Sequence, residues 1–322
     1  MSPSLMRVLA GALLLSGLIV LIAFWQAPSV APIVLGPPTA FPTPTEVETP
    51  SPGPTSTPES TPLPTVSGPQ EHYWLARPIA PPAYFQVDRY YPYASRGDGS
   101  LRVHHGVEFQ NPEGVPVLAV ADGTVVVAGS DPEEIYGVRY NFYGNLVVVE
   151  LDRRYAEQPV YVLYAHLSRV DVSTGQHLKQ GEVIGAVGRS GAAFGPHLHL
   201  EVRLGHNRYF HTRNPELWLR PLPGRGVIAG RLVHAQGAPV PEASIEILTA
   251  ADPPPKAGVW ARITTYARFP SINADERWGE NFAIGDVPTG EYIVQTRLDG
   301  RLYQARVSVQ EGRTAFVELQ LD

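Results

Sequence analysis

From residue 115 to the C-terminus, apolar residues come in short β-branched runs broken by glycine, and no helical period persists. Such a chain has few folded options: an antiparallel sheet or a sandwich, all-β in class. The runs 115–120 and 124–127 flank Asp122-Gly123, a pair that predicts a two-residue hairpin. Further strands are expected at 145–151, 160–164, 181–187 and 198–202. After Pro221-Leu222-Pro223-Gly224 the pattern restarts, with strands at 227–233, 244–248, 292–298, 303–309 and 314–321. Short strands at that density over the last hundred or so residues are the profile of a separate β-sandwich.

The first 70 residues read differently. Residues 8–25 are apolar and uncharged, preceded by Arg7, and just long enough to cross the hydrocarbon core. Two readings are open, an uncleaved signal-anchor and a secretory signal peptide, for which Ser29-Val30-Ala31 offers a cleavage site. The run exceeds the usual 7–15 residues of a signal-peptide core, which favours the anchor. Either way the remainder lies outside the cytoplasm, and Arg7 on the short N-terminal side fits the positive-inside orientation. Residues 28–69 concentrate proline, threonine and serine, a composition that cannot offset chain entropy by burial and gives an extended spacer. The expected organisation is a transmembrane segment (1–26), a disordered linker (27–70), an antiparallel β-domain (71–223) and a β-sandwich (224–322). The aromatic lead-in with Tyr84, Phe85, Tyr90, Tyr91 and Tyr93 has two readings, the lining of a cleft and, the favoured one, irregular packing over the first sheet.

Two exclusions narrow the chemistry. The net charge of −6 provides no basic footprint, so nucleic acid is not an expected partner. With no cysteine in the chain, any metal must be held by histidine and carboxylate.

The stretch Gly195-Pro196-His197-Leu198-His199-Leu200-Glu201 offers such ligands. On a strand, His197, His199 and Glu201 share one face while Leu198 and Leu200 enter a core. Alone the signal is weak, since chance supplies a His-x-His about 0.3 times in a chain of this composition. Two other stretches supply partners: His104-His105-Gly106-Val107-Glu108 and Tyr164-Ala165-His166-Leu167-Ser168. Catalytic zinc takes three N/O ligands and keeps one position open, so four histidines and a carboxylate supply three ligands and two spare imidazoles.

These stretches carry a resemblance. Together with Val115-Pro116-Val117-Leu118-Ala119, Ala121-Asp122-Gly123-Thr124-Val125, Gly185-Ala186-Val187-Gly188 and Ser190-Gly191, they make residues 104–202 similar to the M23 (LytM or lysostaphin-like) zinc metallopeptidases. That family's signature is His-x-x-x-Asp followed far downstream by His-x-His. The resemblance implies Zn2+ on His104, Glu108 and His199, with His166 and His197 catalytic and 71–223 as the peptidase domain. Glu201 is either an acceptor for the free N–H of His199 or a solvent-facing charge. Position 108 departs from the family, having Glu for Asp. The added methylene moves the carboxylate by roughly a bond length, while such sites need about 0.5 Å precision. Either the backbone compensates, or metal binding is weak or absent. The family spacing leaves His105 as a turn residue, and His72, His177, His206, His211 and His234, without partners, read as surface histidines.

The resemblance implies a zinc metalloendopeptidase acting on the peptide cross-links of peptidoglycan through zinc-activated water, and the apolar run at 8–25 makes it a single-pass cell-membrane protein with its bulk extracytoplasmic. The alternative is a degenerate LytM-like domain that binds cell-wall peptide or regulates a partner hydrolase without cutting. Gly230-Arg231-Leu232-Val233, Gly237-Ala238-Pro239-Val240 and 284–292 resemble the carboxypeptidase-regulatory-like (transthyretin-like) sandwich. That likeness implies a binding or spacing module with a protein or glycan partner and no catalytic residues.

Overall fold

The computed structural model describes residues 70–250 and 258–322, so the expected membrane segment and almost all of the linker lie outside the described residues. The described residues contain no α-helix, and two short 3-10 turns, Tyr209–His211 and Pro215–Leu217, are the helical elements present. Among them no helix is long and apolar enough to cross a membrane.

The first part contributes β1 (Val107–Gln110), β2 (Pro116–Leu118), β3 (Gly123–Ser130), β4 (Asn145–Tyr155), β5 (Gln158–Leu167), β6 (Arg169–Val170), β7 (His177–Leu178), β8 (Val183–Ala186), β9 (His197–Leu204) and β10 (Thr212–Arg213). Seven of these form one antiparallel sheet in the order β1-β9-β5-β4-β3-β7, with β10 on the end of β9. One face of this sheet carries Val107, Phe109, Val147, Val149, Val162, Tyr164, Leu198, Leu200 and Val202 into the main core. The small sheet β2-β8-β6 adds Val117 and Ile184 to that core.

The expected hairpin at Asp122-Gly123 does not form. β2 pairs with β8, while β3 pairs with β4 and β7. The Asp122 carboxylate accepts instead from the Gln180 backbone N–H at 2.8 Å and Lys179 Nζ at 2.9 Å. It ties down the turn before β8 while the chain crosses from one sheet to the other. Hairpin chemistry is local, but β2 has apolar side chains that a distant strand covers better.

The second part comprises β11 (Arg225–Val233), β12 (Ser244–Thr249), β13 (Val259–Thr264), β14 (Phe282–Pro288), β15 (Gly290–Leu298), β16 (Arg301–Val309) and β17 (Thr314–Gln320). They form two sheets, β14-β11-β17 and β13-β12-β15-β16, which enclose a second core around Ile228, Ile245, Ile247, Phe282 and Val294. Strands β13 and β14 have no counterpart among the sequence expectations.

The expected boundary near 223 is a change of sheet rather than a gap between cores. Val227, Ala229, Trp278 and Ala283 belong to the core of the first part, and the described residues fall in one compact unit. His72 is part of this junction, not a surface histidine as expected. It is 1% exposed, its ring lies 4.4 Å from that of Trp218, and its Nε2 is 3.2 Å from Asp275 Oδ2. The aromatic and acidic partners that bury it are far away in sequence, so nothing local announced them.

Residues 70–322 are therefore expected to unfold in a single calorimetric transition. Removal of 224–322 uncovers apolar side chains worth about 1.5–3 kcal/mol each when large. Against a total of about 5–15 kcal/mol, the truncated protein should melt at a clearly lower temperature. Two separate transitions in 70–322 would contradict the shared core.

Candidate metal centre

Every residue of β9 is buried, including its polar ones. The side chains of Leu198, Leu200 and Val202 fill the main core. The period of two then turns His197, His199 and Glu201 to the opposite face. The two neighbouring strands set what they meet. On one side Glu108 of β1 stands opposite His199 and Gln110 opposite His197. On the other, Ala165 stands opposite His199 and Leu163 opposite Glu201.

His104 reaches the same face from the loop before β1. Its backbone is fixed by His104 N–H to Ser95 O at 3.0 Å and Ala94 N–H to His104 O at 2.8 Å, and its ring stacks 4.0 Å from Tyr91. The approach needs glycine at 106, because a Cβ there would stand 2.3 Å from Leu200 O and 3.0 Å from His199 Nε2.

His104, Glu108 and His199 converge. His104 Nε2 lies 3.1 Å from His199 Nδ1 and 3.6 Å from Glu108 Oε1. One atom from each of the three falls within 4.8 Å of the others. Ligands about 2.0–2.2 Å from a tetrahedral zinc stand about 3.3–3.6 Å apart, so only small adjustments separate this arrangement from coordination. A proton shared between the two histidines would satisfy only two of the three atoms, whereas a dication suits all three. Glu108 Oε1 thus stands beside both imidazoles. Its second oxygen, Oε2, accepts from Gln110 Nε2 at 2.9 Å.

Glu201 is fully buried rather than solvent-facing, and its Oε1 lies 3.1 Å from His199 Nε2. A carboxylate accepts, so Nε2 carries the proton and Nδ1 presents its lone pair toward His104 and Glu108. Burial alone would raise the Glu201 carboxyl. Arg203 at 2.7 Å and the bond from His199 outweigh it and hold the group well below the usual carboxylate range. Tyr143 donates to Glu201 as well, and Arg203 Nη2 lies 3.0 Å from the Tyr143 hydroxyl.

His166 and His197 flank the three. Their rings are 4.8 Å apart, and His197 Nε2 is 3.4 Å from Glu108 Oε1. By strict alternation His166 would follow Tyr164 into the core. Its φ of +63° breaks the alternation, and a register shift between β4 and β5 accompanies it. Leu167 returns to the core while Ala165 and His166 both open to the polar face. A left-handed non-glycine residue costs about 1–3 kcal/mol, a strain found where side-chain aim matters. The Nδ1 atoms of His166 and His197 donate to Ser190 O at 2.8 Å and Gly195 O at 2.9 Å, leaving each Nε2 with a free lone pair. Burial, reinforced by His199 and His197, brings His166 down to about 3. Burial is also the main cause that lowers His197. Both rings are neutral near pH 7.

A cleft of about 740 Å³ opens over these groups, walled by Tyr90, Tyr91, Arg102, Arg139, Phe142 and Phe194. Tyr90 and Tyr91 thus line the cleft, while Tyr93 is buried and bonds to Thr212 and Asn273. The loop bearing Arg139 is clipped by Asp131, whose carboxylate accepts from the N–H groups of Phe142, Tyr143 and Gly144 at 3.1, 2.9 and 2.9 Å. His105, expected in a turn, is buried and lies 2.5 Å from Ser271 Oγ. His177, His206 and His234 are exposed, and His211 is half-buried beside His206.

Sequence reasoning did not single out Gln110, Arg203, Tyr143 or Tyr91 as partners of the site. The first two had a signal, since each lies two residues beyond a carboxylate on the same strand and so shares its face. Tyr143 and Tyr91 had none, because both arrive from loops.

Residues 102–211 match the model of Peptidase family M23. This stretch of the chain is similar to the peptidases of that family. The chain is similar to the DD-carboxypeptidase/endopeptidase Mpg of Neisseria meningitidis serogroup B, with 41% identity over 103 residues, 32% of this chain and 20% of that protein. It is similar to the peptidoglycan DD-endopeptidase ShyB of Vibrio cholerae, with 35% identity over 104 residues, 32% of this chain and 21% of that protein. A solved zinc containing peptidase from Vibrio cholerae is 28% identical over 43% of this chain and 38% of its own, with a TM-score of 0.34. The chain spans about a fifth of the length of the curated relatives it matches. Zn2+ is the cofactor, and His104, Glu108 and His199 are the donor set that fits it.

Zinc titration against a competing chelator should place the parent above both Glu108→Asp and Glu108→Ala. Asp falls short of a point that Oε1 now reaches, and Ala leaves the dication with two neutral ligands. About tenfold weaker binding is expected for Asp, and more for Ala. Parental affinity in Glu108→Ala would remove the carboxylate from the ligand set. Gly106→Ala should weaken zinc as well, by pushing the ligand loop away from Leu200 O.

Proposed function

We propose that the chain is an extracytoplasmic zinc metalloendopeptidase that cleaves the peptide cross-links of peptidoglycan. The observation that carries this reading is the gathering of three converging donors and two neutral, lone-pair-bearing imidazoles in one cleft. The names of the relatives, DD-endopeptidases of peptidoglycan among them, supply the substrate class. The apolar run at 8–25 supports a single-pass anchor in the cell membrane, with the peptidase held outside it.

His104, Glu108 and His199 are the ligands in this reading, and His166 and His197 the catalytic pair. Zn2+ on those donors supplies Lewis-acid polarisation of the scissile carbonyl and lowers the pKa of water toward 7. Everything else falls to the chain. Glu201 keeps His199 in the tautomer that presents Nδ1. Gln110 holds the far oxygen of Glu108, so that Oε1 stays aimed inward. The backbone carbonyls at 190 and 195 hold His166 and His197 with Nε2 open.

A ring in that state accepts a proton but has none to give at Nε2. The attacking water therefore loses its proton to His166 or His197 first. The ring that receives it becomes a donor, able to bond the developing oxyanion and then protonate the leaving amine. Burial makes this donation strong, because a charge formed in a water-poor cleft is weakly screened. The C-terminal sheets, read as a regulatory-like module with a protein or glycan partner, contribute no residue to these steps.

The purified chain should convert cross-linked muropeptides of isolated sacculi to monomers, and a zinc chelator should stop it. His166→Ala and His197→Ala should each cut turnover by about 10²-fold or more while retaining zinc. Loss of zinc in either variant would interchange ligand and catalyst. Parental zinc binding with no cleavage, and retention on sacculi, would favour the non-catalytic alternative.

A further inference from the structure

Between β13 and β14 the chain leaves the C-terminal sheets and lies against the loop that carries His104. Ala267 N–H donates to Ala94 O at 2.9 Å, and Asn273 N–H donates to the Tyr93 hydroxyl at 3.1 Å. At the tip is Ser271, fully buried and held by Thr212 Oγ, which donates to Ser271 O at 3.0 Å. Its own hydroxyl lies 2.5 Å from His105 Nε2.

The direction of that bond is set by the other ring nitrogen. His105 Nδ1 lies 3.0 Å from Val103 O, and a carbonyl only accepts, so Nδ1 carries the proton and Nε2 accepts from Ser271. The ring is packed on Tyr209 at 3.8 Å. His105 is thus fixed from three sides, and one of them belongs to a segment some 165 residues away in sequence. The next residue back is His104, whose own ring stacks on Tyr91 and lies 3.1 Å from His199 Nδ1.

We propose that Ser271 is a positioning residue for the zinc centre: through His105 it locks residues 103–105 so that His104 Nε2 reaches the metal. The segment 265–281 is then a part of the site supplied by the C-terminal half, and the peptidase family match, which ends at 211, does not include it. This inference rests on the zinc-site reading above. It requires no catalytic group from the second half, only a hydroxyl at a fixed place. Metal sites depend on such outer contacts, and their loss weakens affinity about 10–100-fold.

Zinc affinity of the full chain is measured by chelator competition for parent, Ser271→Ala, Ser271→Thr and Glu242→Gln, together with the metal-free melting temperature and the visible spectrum of the Co2+ form. Glu242 bonds Arg96 at 2.9 Å on the surface of the same junction and serves as the control. Ser271→Ala should bind zinc at least about tenfold more weakly and shift the Co2+ bands, with its metal-free melting temperature unchanged. Ser271→Thr should restore affinity to within about twofold, and Glu242→Gln should match the parent. Parental affinity in Ser271→Ala overturns the proposal alone. A loss that Ser271→Thr does not restore, or that tracks a fall in melting temperature, assigns Ser271 a structural role and also overturns it. A parent without zinc affinity overturns the site itself and this inference with it.

Discussion

A strand that is buried on both faces yet polar on one must find a partner for every polar atom it hides, and β9 is such a strand. Glu201 cannot sit at zero exposure as a lone charge, so Arg203 and Tyr143 are drawn in beside it. Once Glu201 is an anion, it fixes the proton on His199 Nε2 and so directs Nδ1 outward. The orientation of the His199 ring thus descends from the solvation of a buried carboxylate two residues away. Replacing any member of that chain leaves another buried group unpaired, which is why the cluster holds together as a unit.

The same burial sets the chemistry of the cleft. Imidazoles stripped of water stay neutral, and neutral imidazoles are what both a dication and a proton-accepting step need. Carbonyl groups at 190 and 195 decide which nitrogen each ring offers. The left-handed turn at His166 uses backbone strain to aim one of them. Fold and function meet at that residue: the register shift in β5 that disturbs the sheet is the one that delivers the ring to the cleft.

The two halves of the described chain share more than a boundary. Core residues of β11 and β14 face the first part, and the 265–281 segment reaches across to the ligand loop. Arg77 with Asp286 at 2.7 Å, and Glu216 accepting from Gly285 N–H at 2.6 Å, tie the halves together again on another side. The sheet that carries β1, β5 and β9 thus shares its core with strands that contribute no side chain to the cleft.

Features governed by a local period were legible in the order of residues. Alternation along 197–201 placed two histidines and a glutamate on one face, β-branched runs announced most strands, and the absence of cysteine left only histidine and carboxylate as ligands. The all-β class and the antiparallel first sheet were legible on the same grounds, whereas the parallel pairing of β11 with β17 was not. Contacts made across long stretches of chain had to wait for the folded molecule. Folding took β2 away from the expected hairpin and gave it to β8, and it buried His72 between Trp218 and Asp275. It turned His166 out of its alternation, brought the Glu108 carboxylate to 3.6 Å from His104, and gave His105 to Ser271. Period and composition are properties of neighbours along the chain. Which distant surface completes a buried polar group is fixed only when the sheets close, because an unpaired group is costly only once water has been excluded.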